Sequence, residues 1–299
     1  MRLSEAKSVI QKVKPHKIGI RFPKRAAWTP TIPASGPKIP DEILRLAIVK
    51  SPSASKAAPA KTAAAIPEGV PRMRDGRPKY EDIPVTNIRN VIAKRLTESK
   101  QTIPHQYTSI KVSVDNAMAL RVALKESGVN VSMNDIVLKA VSIALKQVPE
   151  LNAVWSDGDV QRLEDVDMCI AVATDAGLFA PKLSKVDQLG LSGVNAHVKD
   201  IAGRAREGKL TPSELSGGGF SVSNLGMFGI TEFTAVINPP QAGILAVGGI
   251  EKELTLDGLV NTMTLTLSSD GRSVDVNDAF VFCEKLKAIL ENPRIMLML

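Results

Sequence analysis

From residue 86 to the C-terminus the hydrophobic pattern switches between a helical and a strand-like period, and the switches outline the elements. Thr86 or Asn87 stands where a helix cap belongs, ahead of Ile88, Val91, Ile92, Leu96 and Ser99, which share about one face. Ile110, Val112 and Val114 then alternate with polar residues, the mark of a half-buried strand. Asp115 is placed to cap a second helix, which Gly128 closes. Ser132 and Asp135 make a capping-box pattern before Ile136, Ala140, Ala144, Leu145 and Val148, and Pro149 stops this third helix, whose apolar content predicts burial. The unbroken apolar run MCIAVA, residues 168–173, has the length of one buried strand. Val194, Val198, Ile201, Ala202 and Ala205 mark a helix ending near Gly208, and Thr211, Pro212 and Glu214 have the order of cap, first-turn proline and capping acid for another. Strands are predicted around Ser221, around Val236 and over 244–247. They are followed by an Asp257-Gly258 hairpin, an alternating strand through Met263, Leu265 and Leu267, and a last helix over 277–290. Helices and strands interleave without a strict period, so the class is α/β or α+β with a mixed sheet.

Upstream the pattern changes. Residues 51–71 (SPSASKAAPAKTAAAIPEGVP) are rich in Ala, Pro, Ser and Lys, which favours extended, solvated backbone, and residues 51–82 read as a linker. Before it, two short apolar pieces, 3–13 and 39–49, flank a basic, proline-containing stretch. Two readings stand for residues 1–50. They form a tiny helical module, or the first 28, with eight Lys and Arg against Glu5 alone, form an acid-poor amphipathic import sequence. Charge supports the division: residues 1–88 hold 17 Lys and Arg against 7 Asp and Glu, a net of +10, whereas the remainder holds 21 against 24, a net of −3. Twelve of the 19 prolines also fall before residue 89, so a basic, largely flexible arm is expected ahead of a compact domain over 83–299.

Composition narrows the function. With 44% hydrophobic and 23% charged residues over 299 positions, one sizeable core is expected. No run approaches eighteen consecutive apolar residues, so no membrane insertion is predicted. Cys169 and Cys283, 114 residues apart, offer neither a disulfide framework nor a metal spacing, which suits a reducing compartment and predicts no metal. The Lys and Arg of the arm are scattered among prolines without aromatic interleaving, so import or docking on an acidic protein accounts for them better than nucleic acid does.

Two stretches are candidates for chemistry. Residues 217–229, GGGFSVSNLGMFG, combine glycines that let backbone approach a ligand with Ser221, Ser223 and Asn224, which suit binding or an oxyanion. No GxGxxG or Walker spacing is present, so on composition alone a glycine-rich turn between strands is the favoured reading. In residues 268–278, SSDGRSVDVND, Asp270, Arg272 and Asp275 can form a charge network that fixes the turn before the last helix. Only His16, His105 and His197 exist, and none sits in a stretch resembling a triad or a metal site.

Taken in order, IRNVIAKRLTESKQTIPH, SMNDIVLKAVSIAL, IAVATDAGLFAP, GGGFSVSNLGMFGITEFTAVINPPQAGILAVGGI and the closing LENP resemble the catalytic core of the 2-oxoacid dehydrogenase dihydrolipoamide acyltransferases, over about residues 83–299. The resemblance implies an α/β core, an α+β two-layer sandwich of the chloramphenicol acetyltransferase-like fold. It also implies trimers, with a channel at each subunit interface that coenzyme A enters from one side and dihydrolipoamide from the other. It would place Ser223 at oxyanion stabilisation and Arg95, Ser223 and Asn224 along the coenzyme A channel. The family's closing motif, Asp-His-Arg-x-x-Asp-Gly, carries the histidine that takes the thiol proton, and here it reads Asp270-Gly271-Arg272-Ser273-Val274-Asp275-Val276. The base position is thus Gly271. Asp275, which the resemblance would place steadying the Arg and His, is a poor base for a thiol of pKa about 8.5 with its own near 3.9. Loss of a positioned base commonly costs roughly 100- to 10,000-fold, and Val276 in place of the final glycine is expected to crowd the turn.

The Ser-Ser-Asp-x-Arg-x-Val-Asp pattern resembles one branch of the family, the dihydrolipoamide dehydrogenase-binding proteins of pyruvate dehydrogenase complexes, whose cores lack the histidine in a similar way. RLSEAKSVIQKV and GPKIPDEILRLAIVK resemble worn ends of a peripheral subunit-binding domain, so dihydrolipoamide dehydrogenase is a candidate partner through residues 1–50. No lipoyl-lysine segment is recognisable in the 299 residues, so this chain is not expected to carry acyl groups itself. The expectation is a core subunit of the mitochondrial matrix, non-catalytic or weakly active, co-assembled with acyltransferase chains. The alternative is an active acetyltransferase whose base comes from a partner chain.

Overall fold

A computed structural model describes residues 83–297, apart from 175, 176 and 257. The helical module or import sequence of 1–50, the linker of 51–82 and His16 lie outside the described residues. The elements are α1 (Asn87–Thr102), β1 (His105–Ser113), α2 (Asp115–Glu126), α3 (Met133–Gln147), the hairpin β2 (Ala153–Ser156) and β3 (Asp159–Arg162), β4 (Met168–Ile170), β5 (Val172–Thr174), β6 (Gly177–Phe179), β7 (Lys182–Leu183), α4 (Leu191–Arg206), β8 (Phe220–Asn224), β9 (Gly243–Thr255), β10 (Gly258–Asp270) and α5 (Val276–Glu291). Six strands form the main sheet in the order β1-β10-β9-β8-β4-β7. The β4–β8 and β8–β9 pairs are parallel and the others antiparallel, which is the mixed sheet expected of the α/β class.

Strand alternation gives this sheet two chemically different faces. Phe220, Val222, Leu245, Leu265 and Leu267 point to one side, into a core shared with α3 and α5, where the Phe220 and Phe282 rings lie 5.7 Å apart. Residues of the opposite phase, Ser221, Thr266, Ser268 and Asp270, are polar yet buried. Such groups need partners. Ser268 Oγ donates to Ala235 O, Ser109 and Thr266 hydroxyls bond at 2.9 Å, and Ser221 Oγ donates to Gln241 Oε1.

Local signals set most boundaries. Thr86 Oγ1 accepts from Arg89 N to cap α1, the Ser132–Asp135 capping box opens α3, and Asp275 caps α5 by accepting from Asn277 N at 2.8 Å. Gly128 and Gly208 close α2 and α4 at φ +84° and +68°, and Gly258, at φ +122°, follows the β9–β10 turn.

Four expectations are corrected. Asp115 does not cap α2: Val114 holds that position, and the Asp115 carboxylate accepts from Asn261 Nδ2 at 2.5 Å. The run 168–173 is two strands, because the chain leaves the main sheet after Ile170 and β5 pairs with β6 in a separate ribbon. Thr211, Pro212 and Glu214 make a turn instead of a helix. The capping bonds form, from Thr211 N and Oγ1 to Glu214 Oε2, but Gly217 and Gly218 at φ +84° and +81° lead the chain straight into β8. Val236 is not in a strand either. Its segment spends its backbone groups on side chains, with Ala235 O, Ile237 O and Ile237 N bonded to Ser268, Ser99 and His105.

The 211–214 turn is clamped from α4 by Arg204, whose guanidinium bonds Glu214 at 2.9 and 2.7 Å. That bond, with those from Thr211, holds the Glu214 carboxyl down to about 2 from an ordinary 4.5. A carboxylate whose folded pKa is depressed contributes stability above its unfolded pKa, and the contribution is lost as pH falls through the folded value. Glu214→Gln is therefore expected to lower stability at pH 6 and to flatten the loss of stability between pH 4.5 and about 2, as measured by urea unfolding across that range.

Candidate functional site

The polar face of the sheet is roofed by α1, and between them lies a cavity of about 670 Å³. Its floor is Ser221, Ser223 and Ile244, and its roof is Ile88, Val91, Ile92 and Arg95. Among the described residues nothing buries the apolar stripe that predicted α1. Val91 stays 55% exposed, and only Ser99 is fully covered, its hydroxyl donating to Ile237 O at 2.6 Å. The cavity is thus an apolar trough with hydroxyls below and the Arg95 guanidinium at its wall, and among the described residues Arg95 has no ionic partner. Asn224 is of the opposite strand phase and is not in this lining. Its Nδ2 donates to Asn134 Oδ1 at 3.0 Å and its Oδ1 accepts from Gly226 N at 2.9 Å, so it braces the bend after β8 against α3.

The second candidate stretch stands at the far end of β10. Asp270 has no solvent exposure, and Arg272 meets it through Nε–Oδ1 at 3.0 Å and Nη2–Oδ2 at 2.7 Å, a bidentate pair. The guanidinium also lies over the Trp155 ring, 4.7 Å from its centroid. Asp270 O accepts from Ser273 N and Val274 N, closing the turn on itself. Asp275 does not join this network, since its carboxylate caps α5. Nor does Val276 crowd the turn: it opens α5 with its side chain 62% exposed. Gly271 sits on the exposed crest, its N–H donating to Pro104 O at 3.0 Å.

These two halves do not meet within one chain. Ser223 pairs with Ala246, and Ala246 with Thr266, five residues before Gly271. Two strand spacings across and five residues along separate Ser223 from Gly271 by roughly 15–20 Å.

His105 Nε2 accepts from Ile237 N at 3.1 Å, which leaves its proton on Nδ1, donating to Ile103 O at 2.9 Å. Both nitrogens are thereby used, Nε2 in joining β1 to the 225–242 loop and Nδ1 in bonding the end of α1. Burial pushes the Cys169 thiol up and the Cys283 thiol up to about 12, so neither is a thiolate at neutral pH. Among the described residues no cluster of three or more His, Cys, Asp or Glu could hold a metal, and no helix is long and apolar enough to cross a membrane. Sequence reasoning missed Gln106, which packs against Gly271. Its signal was a polar residue in the strand phase of Thr108, Ile110 and Val112.

The family model for the 2-oxoacid dehydrogenases acyltransferase (catalytic domain) matches residues 77–298. The chain belongs to this acyltransferase family. It is 44% identical over 236 residues to the pyruvate dehydrogenase protein X component, mitochondrial, of Mus musculus, covering 76% of this chain and 47% of that protein. To the mitochondrial dihydrolipoyllysine-residue acetyltransferase component of the pyruvate dehydrogenase complex of Schizosaccharomyces pombe it is 42% identical over 277 residues, covering 88% and 56%. The chain therefore spans about half the length of these relatives. Among solved structures, the dihydrolipoamide acetyltransferase of Azotobacter vinelandii aligns with a TM-score of 0.70 at 28% identity, covering 78% of this chain and 100% of that one. That structure belongs to work on the role of a serine, a histidine and an asparagine in that enzyme's catalytic mechanism, the last two standing four positions apart. The acyltransferase fold expected from the sequence is the fold observed.

In this family member the Asp270–Arg272 pair is the strongest constraint on the closing motif. Arg272→Met leaves a fully buried carboxylate without its cation and is expected to cost about 3 kcal/mol, read by urea unfolding. The double change Asp270→Asn, Arg272→Met should recover a large part of that loss.

Proposed function

We propose that this chain is a structural core subunit of a mitochondrial pyruvate dehydrogenase complex, co-assembled with acyltransferase chains and without a proton acceptor of its own. Gly271 carries the reading. It stands where the family's motif has a histidine, and Asp275 follows it four positions on, the spacing named for the Azotobacter enzyme's histidine and asparagine. Glycine has no titratable group, and the neighbouring His105 is spent on backbone bonds. Attack of a thiol on a thioester needs the sulfur's proton removed, and nothing placed on this turn removes it. The likeness to protein X and to acetyltransferase components alike supports a core subunit of this complex.

The cavity fits an elongated thioester substrate such as an acyl-coenzyme A. Apolar walls would hold its arm, Arg95 would meet phosphate, and the Ser223 hydroxyl would donate to the oxyanion that develops on the carbonyl. In this reading the basic residues of 1–50 serve import or docking of dihydrolipoamide dehydrogenase, 51–82 link them to the core of 83–299, and trimers place the open stripe of α1 against a neighbour.

A second reading has one observation in its favour. Because Ser223 lies roughly 15–20 Å from position 271 of its own chain, a complete site needs Ser223 of one chain and the base of another. In a mixed trimer this chain would then supply the serine side to a neighbour that retains its histidine.

The purified full chain is expected to transfer acetyl groups from acetyl-coenzyme A to dihydrolipoamide roughly 100- to 10,000-fold more slowly than a histidine-bearing member of the family. Turnover within a few-fold of that member would end the first reading. Co-assembly with an acyltransferase chain whose own serine has been replaced by alanine separates the second: transfer that Ser223→Ala abolishes supports a shared site, and no transfer leaves the scaffold role alone.

A further inference from the structure

We infer that Gln106 is the residue that closes the vacant base position, so that the missing activity is a property of two residues and not of Gly271 alone. This rests on the reading that the chain has no proton acceptor of its own. A β-carbon built on Gly271 would lie 2.8 Å from Gln106 Nε2, 3.2 Å from its Cδ and 3.1 Å from Pro104 O. Any side chain at 271 thus starts inside the space that the Gln106 carboxamide fills, with the Pro104 carbonyl, itself bonded to Gly271 N, behind it.

The placement of Gln106 is not explained by its own bonding. Its cross-strand partner is Ser269, and both carry a buried oxygen without a hydrogen-bond partner, Gln106 Oε1 and Ser269 Oγ. Ser269 has no solvent exposure. Buried polar atoms left unpaired work against folding, and natural structures keep few of them. Two side by side, next to the one residue where the family's chemistry has been lost, mark a place where packing has been settled around Gly271 at the expense of hydrogen bonding. A carboxamide and a hydroxyl are also neutral groups that do not take up a thiol's proton at neutral pH. The polar pair therefore occupies the base's surroundings without supplying a base.

The consequence is that histidine returned at position 271 is displaced by Gln106 unless that side chain is shortened. Full-length G271H and G271H/Q106A are compared for acetyl transfer between acetyl-coenzyme A and dihydrolipoamide. The double variant is expected to exceed G271H at least tenfold, with a rate that rises with pH through the ordinary imidazole range near about 6.5, which a purely structural effect of Gln106 would not produce. Equal rates in the two variants, high or low, overturn the inference. Brisk turnover by the unaltered chain would instead sink the reading beneath it. Thermal unfolding gives a test that needs no activity. G271A should lower the melting temperature by about 2–4 °C in the natural background and by less than half as much with Q106A present, whereas equal losses in both backgrounds refute the contact.

Discussion

A carboxylate removed entirely from water needs a cation and a full set of donors, and Asp270 receives both from a stretch of four residues. Arg272 meets it with two parallel bonds, the Arg272 N–H adds a third at 2.9 Å, and its carbonyl takes two further amides. This knot fixes the direction in which the chain leaves the longest hairpin of the sheet and enters α5. Trp155, reaching from the β2–β3 ribbon, stacks on the guanidinium and ties a third part of the fold to the same point. The knot is made by residues 270 and 272, and the residue between them contributes to it only through its backbone, whose N–H donates to Pro104 O.

The sheet divides the rest of the work by strand phase. One face carries Phe220, Leu245, Leu265 and Leu267 into the core with Phe282 and the α3 helix, and supplies the apolar burial that holds the fold. The other carries serines and threonines toward α1, and bonds from Ser268 to Ala235 and Ser221 to Gln241, with one from Ser99 of α1 to Ile237, keep the irregular 225–242 loop in place. The trough between that face and α1 remains open, since the helix presents an apolar stripe that the described residues do not cover.

Much of this was legible in the chain order. The capping box at Ser132, the glycines closing α2 and α4, the β9–β10 turn at Gly258 and the alternation of Met263, Leu265 and Leu267 are local matters of backbone conformation and side-chain period, and each appears where the pattern places it. That position 271 is a glycine, with no titratable group, also needs no coordinates. The failures share a cause. MCIAVA splits because β5 has a nearer partner in β6 than in the main sheet, and the helix signal at Thr211 is overridden by Gly217 and Gly218, which aim the chain at β8. In both places tertiary pairing outweighed local preference.

Residue identity by itself determined that position 271 cannot exchange a proton, that a buried core exists and which elements compose it, since ionisable groups and hydrophobic period are written along the chain. Only the folded arrangement decided that Asn224 faces α3 while Ser223 faces the trough, that Asp275 caps a helix instead of pairing with Arg272, and that Gln106 lies against Gly271 from 165 positions away. Those outcomes follow from which strands become neighbours, and the free energy of that choice is spread over the whole sheet and cannot be read from any single segment.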